Sequence, residues 1–180
     1  MKTRLSCVAL MLLLTVSPGA LAGQYQGWNT TSDIGVGVLL ISSLAVPAAQ
    51  DDWQGFRQAA YSNALAEGVA LLGKSLIHEE RPNHRDNHSF PSGHTTLAFA
   101  AATTMYRRYG WEVGFPAYAI ATLTGVARVS SREHRWWDAA AGAAIGIGSG
   151  WLLTHPINDH VQIAPWVAEG GGGIALTVVF

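Results

Sequence analysis

Long apolar stretches alternate with short polar breaks along this chain, and that rhythm predicts five helices, over residues 33–50, 56–77, 93–108, 113–128 and 137–154. The breaks are Asp51-Asp52, Pro82 and Pro91, Gly110, and the polar run 130–135. Asp33 is expected to cap the first helix, because its carboxylate can accept the orphaned first-turn amides. The apolar positions do not keep to one stripe. Residues 36–46, 113–126 and 139–153 are apolar or small on every side and carry no charge. Such helices need a large protein or lipid around them. The tail changes period: Val161, Ile163, Pro165 and Val167, then Ile174, Leu176, Val178 and Phe180, alternate with other residues around the glycine run 170–173. That pattern predicts a hairpin. The expected fold is all-α: a compact bundle of about five helices, six if the leader stays attached, with a short C-terminal β-hairpin.

Residues 1–22 have the pattern of a secretory signal. Lys2 and Arg4 form a basic start, 8–16 is an apolar run, and Ala20-Leu21-Ala22 is a small-x-small cleavage site. The rest, 23–180, is expected to form a single domain. Cys7 is the lone cysteine and would leave with the signal, so no disulfide or thiolate metal site is expected. The formal net charge of −1 suggests no nucleic-acid binding. Only 13% of residues are charged, about half the share usual in soluble proteins. A small chain cannot wrap several all-apolar helices in its own polar elements, which points to a membrane bundle. Its spans would be short: about 15 residues rise only ~23 Å against a hydrocarbon core of ~30 Å. Gly142, Gly146 and Gly150, four apart, would let another helix approach closely.

In so charge-poor a chain, three clusters at helix ends stand out. The first is Lys74-x6-Arg81-Pro82. Seven residues fall about 20° short of two helical turns, which puts both cations on nearly one face, with Pro82 as a stop. The second is Pro91-Ser92-Gly93-His94 at a helix start, where unpaired amides suit an anion and Gly93 leaves the backbone open to it. The third is Arg128-x5-His134-x3-Asp138. A carboxylate four residues on can fix one imidazole nitrogen and leave the other free as a nucleophile. Each cluster alone has a structural reading: dipole compensation, an ordinary cap, a surface His–Asp pair. A rival constellation, His78, Glu79, Glu80, His84, Asp86 and His88, crowds one loop but matches no zinc spacing.

Taken together, the three clusters resemble the signature of the type 2 phosphatidic acid phosphatase and vanadium haloperoxidase superfamily. They stand in the family's order between Lys74 and Asp138, with one departure, Ala127 where the family often has Ser. The resemblance implies a helical fold and a metal-independent phosphatase without a cofactor. In it Lys74, Arg81 and Arg128, helped by Ser92 and the Gly93 amide, would hold the phosphoryl oxygens. His134, oriented by Asp138, would attack phosphorus, and His94 would protonate the leaving oxygen and then help water release the phosphate. The expected substrate is a lipid phosphate or diphosphate, met in the inner membrane by loops facing the periplasm. The alternatives are a soluble periplasmic acid phosphatase acting on small esters, a vanadate-dependent haloperoxidase, and a non-enzymatic scaffold.

Overall fold

The computed structural model describes residues 24–157, 161–168 and 171–178. The signal expected over 1–22 lies outside them. Among the described residues five helices run up and down: α1 Gln24–Ala49, α2 Trp53–Leu76, α3 Gly93–Tyr109, α4 Trp111–Ser130 and α5 Trp136–Leu153. Two strands follow, β1 Val161–Ala168 and β2 Gly171–Val178, paired antiparallel with Ala168 opposite Gly171. The expected hairpin therefore forms, but Gly171 to Gly173 belong to β2 and not to the turn.

Helix α3 is the centre and packs against the other four. Its sequence explains why. Ala98, Ala100, Ala101 and Ala102 are fully buried, and small side chains let four neighbours crowd one axis. Leu39 of α1, Met105 of α3, and Ala117 and Ala121 of α4 complete the core cluster. The α5 glycines face α3 as their spacing suggested. A Cβ on Gly142 would lie 2.7 Å from the Ser92 carbonyl oxygen, and one on Gly150 would lie 2.6 Å from Thr103 Cβ. At Gly146 the obstacle is the α3 backbone itself, so these two helices touch main chain to side-chain-free main chain. Gly110, with φ of +85°, makes the reversal from α3 into α4 in a conformation that favours glycine.

Two expectations need correction. Helix α1 starts at Gln24, so Asp33 lies inside it and caps nothing. Residues 24–32, polar apart from Tyr25, Gly27 and Trp28, hid these first turns from the apolar pattern; Asn29 and Ser32 accept from Arg128 on the neighbouring α4. Helix α2 ends at Leu76, and Ile77 is extended (φ −114°, ψ 105°), so Arg81 does not share a helical face with Lys74 and Pro82 is not the stop. The loop's own bonds replace the helix: the Ser89 amide donates to the Glu79 carbonyl and the Arg81 amide to the Asp86 carbonyl, both at 2.9 Å.

The two ends of the bundle are built differently. One gathers the three motif clusters. At the other, Arg108 donates from Nε (2.7 Å) and Nη2 (2.5 Å) to the Asp52 carboxylate, and from Nη1 to the carbonyls of His155 and Pro156. Asp52 also caps α2 through the Gly55 amide at 2.9 Å. Burial opposes its ionisation, but the Arg108 and Gly55 hydrogen bonds outweigh that and hold the carboxyl below its ordinary range. Among the described residues, one helix is long and apolar enough to cross a membrane by composition, over Tyr25–Ala49, with a mean hydropathy of 1.7.

Candidate active site

Helix α4 ends in the turn that carries the third cluster. Arg132 takes a left-handed φ of +59°, and the amides of Glu133 and His134 both donate back to the Arg128 carbonyl at 3.2 Å. This tight return turns both side chains inward: Glu133 and His134 are buried. Helix α5 starts two residues after His134. Asp138, fully buried in its first turn, reaches back with Oδ2 to the Arg135 amide at 2.8 Å.

The imidazole of His134 has two distinct sides. Its Nδ1 lies 3.6 Å from Asp138 Oδ2, longer than a formed hydrogen bond. Its Nε2 lies 3.3 Å from Arg81 Nη1. The Asp138 carboxylate is held in turn by Ser89, whose hydroxyl donates to Oδ2 at 2.5 Å. Burial first, and then Arg128, Arg81 and Lys74, lower the His134 pKa from its ordinary value, against the opposing pull of Asp138. A neutral imidazole with Nδ1–H toward Asp138 leaves its lone pair on Nε2.

The structure brings the predicted cations and histidines to one bundle end by different routes. Arg81 comes from the 77–92 loop, its Nε braced by Asp86 Oδ1 at 2.8 Å. Against slight burial, bonds from Arg81 and the His88 amide keep the Asp86 carboxyl below its ordinary range. Arg128 comes from the last turn of α4, with Nη1 donating to Asn29 Oδ1 at 3.2 Å. Lys74 sits at the end of α2 and donates to the carbonyls of His88 (3.0 Å) and Pro91 (2.7 Å), so it straps the second cluster down. Ser92 is the N-cap of α3 by position, yet its hydroxyl pairs with Thr95 Oγ1 at 3.0 Å instead of capping an amide. Gly93 opens α3, with the Lys74 chain 3.9 Å from where a Cβ would be. His94 lies on the open side, where its Nε2 donates to Asp33 Oδ1 at 2.9 Å.

Several partners were not singled out by sequence: Ser89 behind Asp138, Asn29 behind Arg128, Asp33 on His94, and Glu133 between the arginines. For Asp33 a signal existed, since it is the one charged residue between Gln24 and Gln50, whereas Glu133 stands in a charged run that does not single it out. Ser89 and Asn29 carried none. The rival acid-and-histidine loop is otherwise engaged. His84 pairs with Glu80 at 2.7 Å, and Glu79 accepts from Arg135 (2.7 Å) and Trp137 (2.9 Å). No three of its members converge as ligands among the described residues.

Known proteins share both sequence and fold with this chain. It is 38% identical to the lipid A 1-phosphatase of Porphyromonas gingivalis over 93 residues, which are 49% of this chain but only 21% of that protein. It is 31% identical to the lipid A 4'-phosphatase of Helicobacter pylori over 164 residues, covering 84% of this chain and 83% of that one. The crystal structure of Aquifex aeolicus LpxE superposes with a TM-score of 0.63 over 81% of this chain and 92% of its own, at 21% identity, which shows a common fold. Residues 55–161, containing all three clusters, match the PAP2 superfamily, and to that superfamily this chain belongs.

Proposed function

We propose that this phosphoric ester hydrolase removes phosphate from a lipid phosphate or diphosphate through a phosphohistidine intermediate. The observation that carries the reading is His134, set with Nδ1 toward Asp138 and Nε2 toward Arg81, its amide bonded to the Arg128 carbonyl. His134 Nε2 attacks phosphorus as the ester P–O bond breaks, and His94 gives the leaving oxygen its proton. Water then attacks the phosphohistidine, His94 takes a proton from it, and phosphate and free His134 result. Arg81, Arg128 and the Gly93 amide neutralise the equatorial oxygens, where transferring phosphoryl groups carry their charge. Two of Lys74's three protons are used on carbonyls, which leaves one for the phosphoryl group. Ser92 contributes through the position of its backbone more than through its hydroxyl.

A lipid fits the surface. Exposed tryptophans gather at the two bundle ends: Trp136 and Trp137 at the catalytic end, Trp53, Trp111 and Trp151 at the other. Trp136 and Trp151 share α5, so the two belts stand ~22 Å apart, a short span of the kind aromatic belts bracket. Between them Ile41, Leu65, Leu72, Phe115 and Leu123 are exposed. A groove of about 370 Å³ between α3, α4 and α5 is lined by Phe99, Val126, Val129 and Ala143. Its rim residues Thr95, Ser130 and Trp136 lie within two positions of His94, Arg128 and His134, so a chain in the groove would bring its headgroup to them.

Purified protein in detergent, with chelator present, is expected to release phosphate from lipid A, phosphatidate, phosphatidylglycerol phosphate or a polyprenyl diphosphate. The best of these should exceed p-nitrophenyl phosphate in kcat/KM by at least about tenfold, since remote binding energy is used at the reacting centre. Vanadate should inhibit. Loss of activity on chelation with recovery on zinc would defeat the metal-free mechanism, and preference for the small ester would favour the soluble acid phosphatase.

The same reading puts the catalytic end on the periplasmic side of the inner membrane. In a Cys7→Ser background, a cysteine at exposed Asn87 should react with an impermeant reagent in intact spheroplasts, and one at exposed Glu112 should not. Equal reaction at both would overturn the membrane assignment.

A further inference from the structure

Glu133 has a buried carboxylate, 3% exposed, and it lies against the cations that the proposed mechanism needs. Its Oε2 is 3.0 Å from Arg81 Nη1 and 3.6 Å from Arg128 Nη2. The same Arg81 nitrogen stands 3.3 Å from His134 Nε2. The carboxylate thus holds the guanidinium faces beside the nucleophile, where a phosphoryl group in line with Nε2 would have its oxygens. Its other oxygen has separate partners: Oε1 is 3.3 Å from Arg85 Nη1 and 3.4 Å from Asn29 Nδ2. A cavity of about 410 Å³ opens on that side, bordered by Asn29, Arg85, Arg132 and Glu133 but not by Arg81, Arg128 or His134.

We propose that Glu133 is an internal anion that occupies the Arg81–Arg128 clamp between turnovers and yields it to the phosphoryl group, withdrawing toward Arg85 and the cavity. The proposal rests on the phosphate-site reading above. Without an anion, the largely buried guanidiniums of Arg81 and Arg128 would repel one another; with a carboxylate between them they stay converged. A phosphate then competes with that carboxylate for the same donors, so the resting clamp binds anions less tightly than bare arginines would. Product phosphate consequently leaves readily as Glu133 returns.

The test is vanadate and inorganic phosphate binding by the full chain in detergent, measured by titration calorimetry and by inhibition. Glu133→Gln keeps the shape and removes the charge, and is expected to tighten both anions by at least about tenfold. Glu133→Asp draws the carboxylate back by one methylene, should tighten binding by less, and gives the same sign if the glutamine variant fails to fold. Arg85→Gln should weaken vanadate binding about threefold in the wild-type background and by less than twofold in the Glu133→Gln background, because its effect runs through the displaced carboxylate. Weaker or unchanged anion binding by both Glu133 variants would overturn the proposal while leaving the phosphate site standing. A wild-type chain that binds neither anion would instead remove the site reading itself, and this proposal with it.

Discussion

Replacing His134 by alanine is expected to cut phosphate release by at least about 10⁴-fold, the scale on which loss of a covalent nucleophile is felt. It should also abolish the acid-labile phosphoenzyme trapped from wild type by rapid quenching. Retention of labelled phosphate on the variant would place the nucleophile elsewhere. The pH profile carries an independent check. The attacking form is the neutral imidazole, and burial together with the three nearby cations lowers the His134 pKa. Protonation therefore removes the nucleophile only below the ordinary histidine value of ~6.5, and the acid limb of kcat/KM should fall beneath that pH. Asp138 pulls the other way, so Asp138→Asn should shift the limb further down while lowering kcat. A limb at or above pH 7 would show that His134 is not held as its surroundings imply.

Replacing His94 by alanine is expected to cost about 10² to 10⁴-fold on an alkyl phosphate or a lipid monoester, the range general acid catalysis supplies. The loss should shrink to less than about tenfold on an aryl ester whose leaving group departs without a proton. Burst kinetics with the aryl ester would separate the two half-reactions, because His94 is also assigned to activating water. The structure adds a reason for the ring's orientation: Asp33 of α1 accepts from its Nε2 at 2.9 Å. Equal losses across leaving groups would take His94 out of the acid role.

The residues of the proposed site stand out in the sequence because rare chemistry is conspicuous in a charge-poor chain. Lys74, Arg81, His94, Arg128, His134 and Asp138 were found as charged or imidazole residues at helix ends, and the structure gathers them at one end of the bundle. Their partners were less legible. Glu133 sits beside His134 in a run that also holds Arg132 and Arg135, and nothing in one sequence says which of these turns inward. Asp33 invites a capping role because the largely polar turns before it hide that α1 already runs from Gln24. The spacing of Lys74 and Arg81 predicts one helical face, whereas the end of α2 at Leu76 hands Arg81 to a loop that braces it with Asp86 and aims it at His134.

Period and composition by themselves determined the helical class, the five helices among the described residues, the terminal hairpin and the face of α5, through Gly142, Gly146 and Gly150, that another helix can approach. These depend on local propensity and on side-chain size, which each residue carries wherever it lies. The tertiary structure alone decided where the helices end and which charges meet. The end of α2 depends on loop bonds closed between residues 79 and 89. The His94–Asp33 and Arg128–Asn29 pairs join positions 61 and 99 residues apart. Glu133 lies inside rather than in water because a left-handed turn at Arg132 points it there and three arginines, two from the 77–92 loop and one from α4, offset its desolvation. An ion pair of that kind is a property of the assembled site, since its energy exists only once the distant partners have been brought within a few ångströms.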